Sequence, residues 1–398
     1  MRDRLRHARP GRHRRLGRNR RCGRSTVFSF DTDSRRLSAE AAIARHRAVL
    51  GRLFDGDRIL FKKIDSTLRG HPALETKAAI EAVRRCAGAA FGILAPAFPA
   101  TGRTTLDGRI RVKDQPLETT ELWRRDHGYP SADLVEMLAS AGIVGEKLPL
   151  ALIRSGRDAL QARFADLASR SDIVAVCDAE TDADLVRIAE ASLPVSATTF
   201  FIGSAGLAHA LAAAAPSLPA EPVAFAATGQ GTLIVVGSLA EISRAAARQL
   251  RDTPGIRYVP VEPAMLLGRN PDLAALAGRV AAGLDAGADV LVEIRTDDAP
   301  DLSIGPRLVE ALAEALTPAA AHLGGLAATG GETAAALLSR FGVSGIRLVD
   351  EIEPGVVLGL TLGALAIPIV TKAGAFGDAG SLARSAEHLR LLRQKENP

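Results

Sequence analysis

The hydrophobic positions of this chain change repeatedly between two spacings. Intervals of three and four residues predict amphipathic helices, beginning with SAEAAIARHRAVLGRLF, where Ser38 is a suitable N-cap. Short apolar runs such as GAAFGILAP and DIVAVCD predict buried strands between the helices. Strands that alternate with helices are typical of a parallel sheet covered on both faces, which binds its ligands at the carboxyl ends of its strands.

This alternation is interrupted once. Residues 215–231, APSLPAEPVAFAATGQG, are rich in proline, alanine and glycine without a clear period, and strands and helices resume at TLIVVG. A chain of 398 residues, 47% of them hydrophobic, is long enough for two domains. We therefore predict an α/β protein of two domains, each with a largely parallel sheet flanked by helices: residues 28–214 and 232–398, joined by a linker at 215–231.

Two stretches are harder to assign. Residues 97–130 are irregular. The uncharged run PGVVLGLTLGALAIPIVT, 354–371, is divided by two prolines and three glycines, and its apolar centre is shorter than the ~20 residues of a membrane span. It predicts a buried helix followed by a strand, and no membrane partner.

The positive charge of the chain is confined to its beginning. The formal net charge is +5, but residues 1–24 hold eleven arginines and one acid, which leaves 39 basic and 44 acidic residues elsewhere, a net of −5. Any binding of nucleic acid or an anionic membrane would depend on this tail, so neither partner is predicted. Residues 1–27 are interpreted as a disordered tail, with an organellar presequence as the alternative.

The cysteines indicate a reducing compartment. Cys22, Cys86 and Cys177 are far apart and form no CxxC pair, so neither a disulfide framework nor a zinc cluster is indicated. The eight histidines show no HxxxH or HExxH spacing, so no metal site built only from protein ligands is predicted. A cytoplasmic location fits these observations best.

In the first domain, FKKIDSTLRGH brings many polar groups to the end of a strand. Asp65, Ser66, Thr67 and Arg69 lie there, and Gly70 permits a tight turn. An arginine beside hydroxyl donors suits the bidentate capture of a carboxylate, and an aspartate can accept a proton or hydrogen bond from a sugar hydroxyl. The alternative is that Asp65 and Ser66 only cap the following helix.

A second arginine and hydroxyl cluster lies in APAFPATGRTTLDG. Two prolines stiffen this loop, Gly102 turns it, and Arg103, Thr104 and Thr105 follow. Two such loops in one domain indicate a receptor for a small polar acid.

In the second domain, ATGGETA follows a predicted strand and begins a helix. Gly330 and Gly331 remove steric bulk at the positive end of that helix, and Thr333 adds a hydroxyl, which favours a phosphate site. Glycine turns are also ordinary packing features between strands and helices. The sequence GxxxxGK[ST] does not occur, so an ATP site here would not be a P-loop.

Two further glycine-bearing turns strengthen the nucleotide hypothesis. VVGSLAE provides Ser238, which is also suited to be a simple N-cap. TKAGAFG provides Lys372, able to pair with phosphate, beside Gly374 and Gly377.

Together these stretches resemble the four-carbon acid sugar kinase family. The matching segments occur in the family's order over about residues 38–380: FKKIDSTLRGH, PAFPATGRTT with RVKDQPLETTE, CDAETDADL, FIGSAGLA, VVGSLAEISRAAARQL, ATGGETA, EPGVVLGL and TKAGAFG. The resemblance implies an acid-sugar-binding domain, an ATP-binding domain, an active site in the interdomain cleft, and phosphorylation of a D-threonate or D-erythronate type acid at its 4-hydroxyl with ATP and Mg²⁺.

The resemblance also implies roles for individual residues. Those implied to face the substrate are Lys63, Asp65, Ser66, Arg69 and Arg103, with Thr67, Gly70 and Thr104 beside them. Lys63 and Asp65 are the candidates for a direct part in catalysis. Those implied to hold ATP are Ser238, Gly330, Gly331, Glu332, Thr333, Lys372, Gly374 and Gly377.

One departure from the family pattern leaves alternatives open. Family members begin with an acidic, glycine-containing turn of the type DDFTGA, and the arginine-rich tail stands in its place, with family-like sequence resuming near Phe28 to Ser38. The alternatives are a 3-oxo-tetronate kinase or a non-catalytic protein that still binds sugar acid or nucleotide. A homodimer is compatible with the sequence.

Overall fold

The computed structural model describes residues 27–126, 129–170, 172–193, 196–216, 222–237, 240–268, 272–295, 304–374 and 376–394. The chain divides into two compact units, Met1–Pro219 and Ala220–Pro398. Each unit has its own mainly parallel sheet flanked by helices, so the predicted α/β class is confirmed. The predicted domain limits and the interdomain cleft stay predictions, and the arginine-rich residues 1–26 lie outside the described residues.

The first unit is built on a parallel sheet in the order β1-β8-β2-β7-β6. Its strands are β1 Phe61–Lys63, β2 Phe91–Ala95, β3 Arg103–Leu106, β4 Arg109–Val112, β5 Gln115–Pro116, β6 Val144–Leu148, β7 Ile173–Cys177 and β8 Thr199–Gly203. Its helices are α1 Ala39–Leu53, α2 Pro72–Ala87, α3 Glu121–Asp126, α4 Leu134–Ala139, α5 Leu150–Ile153, α6 Arg157–Ser169, α7 Asp182–Ser192 and α8 Ala205–Ala214.

Both faces of this sheet are buried, as the alternation of side chains along β7 demonstrates. Val174 and Val176 belong to a hydrophobic cluster shared with α2 and α4, whereas Ile173, Ala175 and Cys177 belong to a cluster shared with α6 and α7. Successive strand residues point to opposite faces, so the two clusters lie on the two sides of the sheet. Because both faces of the sheet are buried, its strands are continuous apolar runs.

The stretch expected to be irregular, residues 97–130, contains a small antiparallel sheet of β3, β4 and β5. Two-residue turns connect these strands, with positive φ at Asp107 and Gly108 and at Lys113 and Asp114. Such turns match the twist of a hairpin, and aspartate and glycine adopt positive φ readily. Arg103 is the first residue of this sheet.

The second unit has the sheet order β10-β11-β9-β12-β15-β14-β13, in which β14 pairs antiparallel with both β15 and β13 and the other strand pairs are parallel. Its strands are β9 Thr232–Val236, β10 Ile256–Val261, β11 Asp289–Ile294, β12 Gly325–Thr329, β13 Val343–Glu353, β14 Val356–Gly363 and β15 Pro368–Lys372. Its helices are α9 Glu241–Arg251, α10 Pro263–Leu267, α11 Leu273–Asp285, α12 Gly305–Leu316, α13 Gly331–Arg340 and α14 Ser381–Gln394.

The prediction of a buried helix within residues 354–371 was wrong, because this run forms β14 and then β15. Gly359 shows why a strand fits: a Cβ added there would lie 2.4 Å from Ile346 Cγ2 and 2.9 Å from the Arg347 carbonyl oxygen of the neighbouring strand. Glycine therefore permits β13 and β14 to pair closely. Within the part of the chain that the structure describes, no helix is both long and apolar enough to cross a membrane.

Candidate active site

The FKKIDSTLRGH segment forms a turn at the carboxyl end of β1. The Leu68 backbone N–H donates to the Asp65 carbonyl at 3.0 Å, and Leu68 and Gly70 have φ of 63° and 87°. Asp65 Oδ1 accepts hydrogen bonds from the backbone N–H of Thr67 at 2.9 Å and from its hydroxyl at 2.5 Å. Asp65 therefore closes its own turn, whereas α2 begins at Pro72 with His71 at the N-cap position.

The other oxygen of Asp65 is shared by two guanidinium groups. Arg69 donates to Oδ2 at 2.8 Å and Arg35 donates to it at 3.3 Å. Burial alone would raise the pKa of Asp65, but the hydrogen bonds from Arg69 and Thr67 outweigh burial and hold that pKa well below its usual range. Asp65 is thus ionised and surrounded by donors.

Positive charge exceeds negative charge at this turn. The side chain of Lys63 is accessible to solvent at the end of β1. Desolvation by the surrounding protein lowers the pKa of Lys63, attraction by Asp65 opposes this, and repulsion from Arg35 and Arg69 lowers it further. Three cations therefore surround one carboxylate, which is an arrangement suited to an anionic ligand.

A cavity adjoins the turn. It has a volume of about 320 Å³ and is lined by Arg35, Gly70, His71, Ala73, Leu74, Tyr129 and Ser140. Tyr129 contributes its hydroxyl oxygen, which accepts from the Ala73 backbone N–H at 3.3 Å. Arg35 both lines the cavity and contacts Asp65, so a molecule in this cavity would be next to the charged turn.

The Arg103 loop lies at the same edge of the sheet. It follows β2, and β8 separates β2 from β1, so the two loops begin two strand positions, roughly 10 Å, apart. Arg103 donates to the Thr101 hydroxyl at 3.3 Å, and its Nε is buried without a hydrogen-bond partner among the described residues. Ser66 is buried and Thr104 is half-buried.

In the second unit, the ends of the adjacent strands β9, β12 and β15 meet at one edge of the sheet. Gly330 precedes α13 with φ of 89°, and its N–H donates to the Lys372 carbonyl at 2.9 Å. Thr333 in the first turn of α13 is buried against Gly237, where an added Cβ would lie 2.4 Å from the Thr333 hydroxyl. Gly331 is exposed and has open space around the position of a Cβ. Glu332 is likewise exposed in this turn.

Lys372 is a buried lysine at this edge. Its side chain is 2% exposed, and its Nζ makes long contacts of 3.3 Å with the Ser243 hydroxyl and 3.4 Å with the Ala373 carbonyl. Desolvation lowers the pKa of Lys372, and the Glu353 carboxylate opposes that shift. Ser243 in turn donates to the Gly374 carbonyl at 2.9 Å, which connects the start of α9 to the glycine loop after β15.

Arg384 of α14 donates to Glu353 at the end of β13 and to Asp378, which directly follows the glycine loop. Gly377 has φ of 78° and lies against the Ser381 side chain, so a larger residue would not fit there. Ser238, predicted from VVGSLAE, lies outside the described residues. The ends of β9, β12 and β15 therefore bring together the other residues expected to hold a nucleotide.

Comparison with known proteins matches a different family model to each of the two units. Residues 13–211 match the family model of a sugar-binding N-terminal domain, and residues 233–382 match that of a nucleotide-binding C-terminal domain. A D-threonate kinase from Cupriavidus necator is 41% identical over 362 residues, covering 89% of this chain and 86% of that protein. The chain belongs to the four-carbon acid sugar kinase family. It is a phosphotransferase that uses a nucleotide. The match to the family model begins at residue 13, earlier than the expected start near Phe28 to Ser38.

Other family members carry related names. A D-threonate kinase from Bordetella bronchiseptica is 34% identical over 381 residues, covering 92% of this chain and 87% of that protein. A D-erythronate kinase from Heliobacterium modesticaldum is 26% identical, and the match covers 91% of this chain and 87% of that protein. A 3-oxo-tetronate kinase from Methylobacterium radiotolerans is 29% identical, and the match covers 89% of this chain and 87% of that protein. A crystal structure from Salmonella typhimurium shares the fold, with a TM-score of 0.74 at 21% identity over 89% of this chain and 87% of that one.

The sequence patterns did not predict every residue of the candidate site, and Arg35 and Ser243 are two examples. Arg35 contacts Asp65 from 30 positions away, and Ser243 contacts Lys372 from 129 positions away. Neither belongs to a turn that follows a strand, which was the signal used for the other candidates. Ser243 lies within VVGSLAEISRAAARQL and is the third residue of α9. That position gave no reason to expect a functional role.

Proposed function

We propose that this kinase transfers the γ-phosphate of ATP, with Mg²⁺, to the 4-hydroxyl of a four-carbon acid sugar of the D-threonate type. The observation that carries this proposal is the group of three cations around Asp65, next to a cavity of suitable size for a small acid. The identity of 41% to a D-threonate kinase supports that choice of substrate.

In this proposal, Arg35 and Arg69 bind the carboxylate of the substrate, and Arg103 contributes from the neighbouring loop. Guanidinium groups suit this task because they hold carboxylates in two parallel hydrogen bonds. Asp65 acts by fixing both arginines, since a carboxylate with a depressed pKa and four donors is a poor proton acceptor. Lys63 offsets the charge that develops on the transferred phosphoryl group.

The nucleotide binds at the ends of β9, β12 and β15. The exposed Gly331 lets phosphate approach the backbone amides at the positive end of α13, and Lys372 pairs with phosphate. Among the described residues, no group of three or more acidic, histidine or cysteine side chains is arranged to hold a metal ion. Mg²⁺ would therefore be bound chiefly through the phosphates and water, as it commonly is.

The test is a coupled assay of the full chain with ATP, Mg²⁺ and one acid at a time: D-threonate, D-erythronate or a 3-oxo-tetronate. We expect the highest kcat/KM with D-threonate. The highest value with a 3-oxo-tetronate would replace the proposed substrate. Binding of ATP without turnover on any acid would instead support the non-catalytic alternative.

Replacement of Gly331 by alanine tests the role of the bare backbone at α13. We expect KM for ATP to rise about tenfold or more, because the methyl group occupies the space through which phosphate approaches the amides. The thermal midpoint of unfolding should stay constant or rise, since alanine favours a helix over glycine by up to ~1 kcal/mol.

Gly278→Ala is the matched control for this substitution. Gly278 lies in α11, and an added Cβ there also has no neighbour within 4 Å. It should stabilise the fold without any change in KM for ATP. An unchanged KM in Gly331→Ala would contradict the assignment of this turn.

A further inference from the structure

Glu75 of α2 is a buried carboxylate that contacts Ser34 and Lys62. The residue is 6% exposed, and its Oε1 accepts a hydrogen bond from the Ser34 hydroxyl at 2.6 Å. Oε2 lies 2.7 Å from Lys62 Nζ. Burial would raise the pKa of Glu75, but the charge of Lys62 and the hydrogen bonds from Lys62 and Ser34 lower it overall, so the group is ionised.

Both partners are next in sequence to candidate substrate-binding residues. Ser34 precedes Arg35, which contacts Asp65. Lys62 precedes Lys63, and Lys62 Nζ also donates to the Lys63 carbonyl at 2.8 Å. One carboxylate therefore connects the segment that carries Arg35 with the strand end that carries Lys63.

A histidine completes this buried network. His46 of α1 has its Nε2 3.8 Å from Glu75 Oε2, and its Nδ1 contacts the Ala42 carbonyl of its own helix. Removal of the charge from Glu75 would leave Lys62 without its buried counter-charge, and buried polar networks tolerate such partial loss poorly.

We infer that Glu75 is a positioning residue for acid-sugar binding, which fixes the positions of Arg35 and Lys63 through their neighbours Ser34 and Lys62 without touching the substrate. This inference rests on the proposed function. Its distinguishing property is selectivity: loss of Glu75 should weaken binding of the acid sugar and leave binding of ATP unchanged.

The test is Glu75→Gln, which preserves shape but removes the charge. We expect KM for D-threonate to rise about tenfold or more as Arg35 moves and kcat to fall as Lys63 moves, with KM for ATP unchanged. Ser34→Ala removes one of the two links and should raise the same KM by a smaller factor. Calorimetric titration with D-threonate should give a matching loss of affinity.

Glu81→Gln is the control, because Glu81 lies on the same helix and forms a surface ion pair with Arg47 of α1. It should leave both KM values unchanged. Equal KM values for D-threonate in wild type and Glu75→Gln, or an equal rise in both KM values, would overturn the inference. If Glu75→Gln does not fold, the KM values of Ser34→Ala for D-threonate and for ATP test the inference by the same criteria. Failure of the proposed function would appear separately, as wild-type protein that turns over no acid sugar.

Discussion

Replacement of Asp65 by asparagine is expected to lower kcat/KM for the acid sugar by about 10²- to 10³-fold. Asparagine preserves the oxygen that closes the turn but removes the negative charge shared by Arg69 and Arg35. The two guanidinium groups then repel each other and leave the geometry in which they are proposed to bind a carboxylate, and small displacements of positioning groups are costly. Steady-state kinetics with the acid sugar varied at saturating ATP measures this effect.

The same variant has an expected pH signature. Because the pKa of Asp65 is lower in the folded than in the unfolded protein, its ionisation stabilises the fold above the unfolded pKa and this contribution is lost as pH falls. The difference in free energy of unfolding between wild type and Asp65→Asn should therefore shrink from pH 7 towards pH 3. Denaturant titrations across this range test the sign.

Asp166→Asn is the matched control, since Asp166 and Arg170 form another aspartate and arginine pair four residues apart, but with both side chains half-exposed. It should leave kcat/KM within about twofold, because exposed ion pairs contribute little. An Asp65→Asn enzyme within threefold of wild type would show that the turn does not bind the substrate.

Replacement of Lys372 by methionine should separate activity from stability. We expect kcat/KM for ATP to fall about 10²-fold, because the charge proposed to pair with phosphate is lost. The thermal midpoint should stay constant or rise, since a buried ammonium with two long hydrogen bonds is costly to desolvate and methionine fills a similar volume. Parallel kinetics and thermal unfolding measure both effects.

The pH dependence of stability gives an additional check on Lys372. Its pKa is lower in the fold than in the unfolded chain, so the unfolded chain binds more protons between the two values and stability rises with pH there. Lys372→Met should abolish that rise.

Lys147→Met, which removes a half-exposed lysine paired with Asp133, is the control and should not change the kinetics with ATP. Loss of stability with unchanged kinetics in Lys372→Met would assign Lys372 to the core instead.

Local periodicity predicted most of the strand and helix alternation, because apolar spacing within one element reports which face is buried. It did not predict β14, since an apolar run with several glycines is compatible with both a helix and a strand. The hairpin of β3 and β4 did have a local signal, the Asp107 and Gly108 pair, which was not used.

The sequence could predict the turns of the candidate site because parallel strands bring their carboxyl ends to one edge. It could not predict the residues that complete the site, because their partners are distant in the chain. Glu75 contacts Ser34 across 41 positions, and Ser243 contacts Lys372 across 129. Such pairs depend on how helices pack against the sheet, which no local pattern records.

The central claim is that the cations around Asp65 select a substrate by its carboxylate. The most direct measurement compares kcat/KM for D-threonate and for D-threitol, which has the same terminal hydroxyl but no carboxylate, at saturating ATP and Mg²⁺. We predict a preference for D-threonate of about 10³-fold or more, because D-threitol lacks the negative charge that attracts Arg35, Arg69 and Lys63 and cannot accept paired hydrogen bonds from a guanidinium group. Equal values for the two compounds would contradict the account.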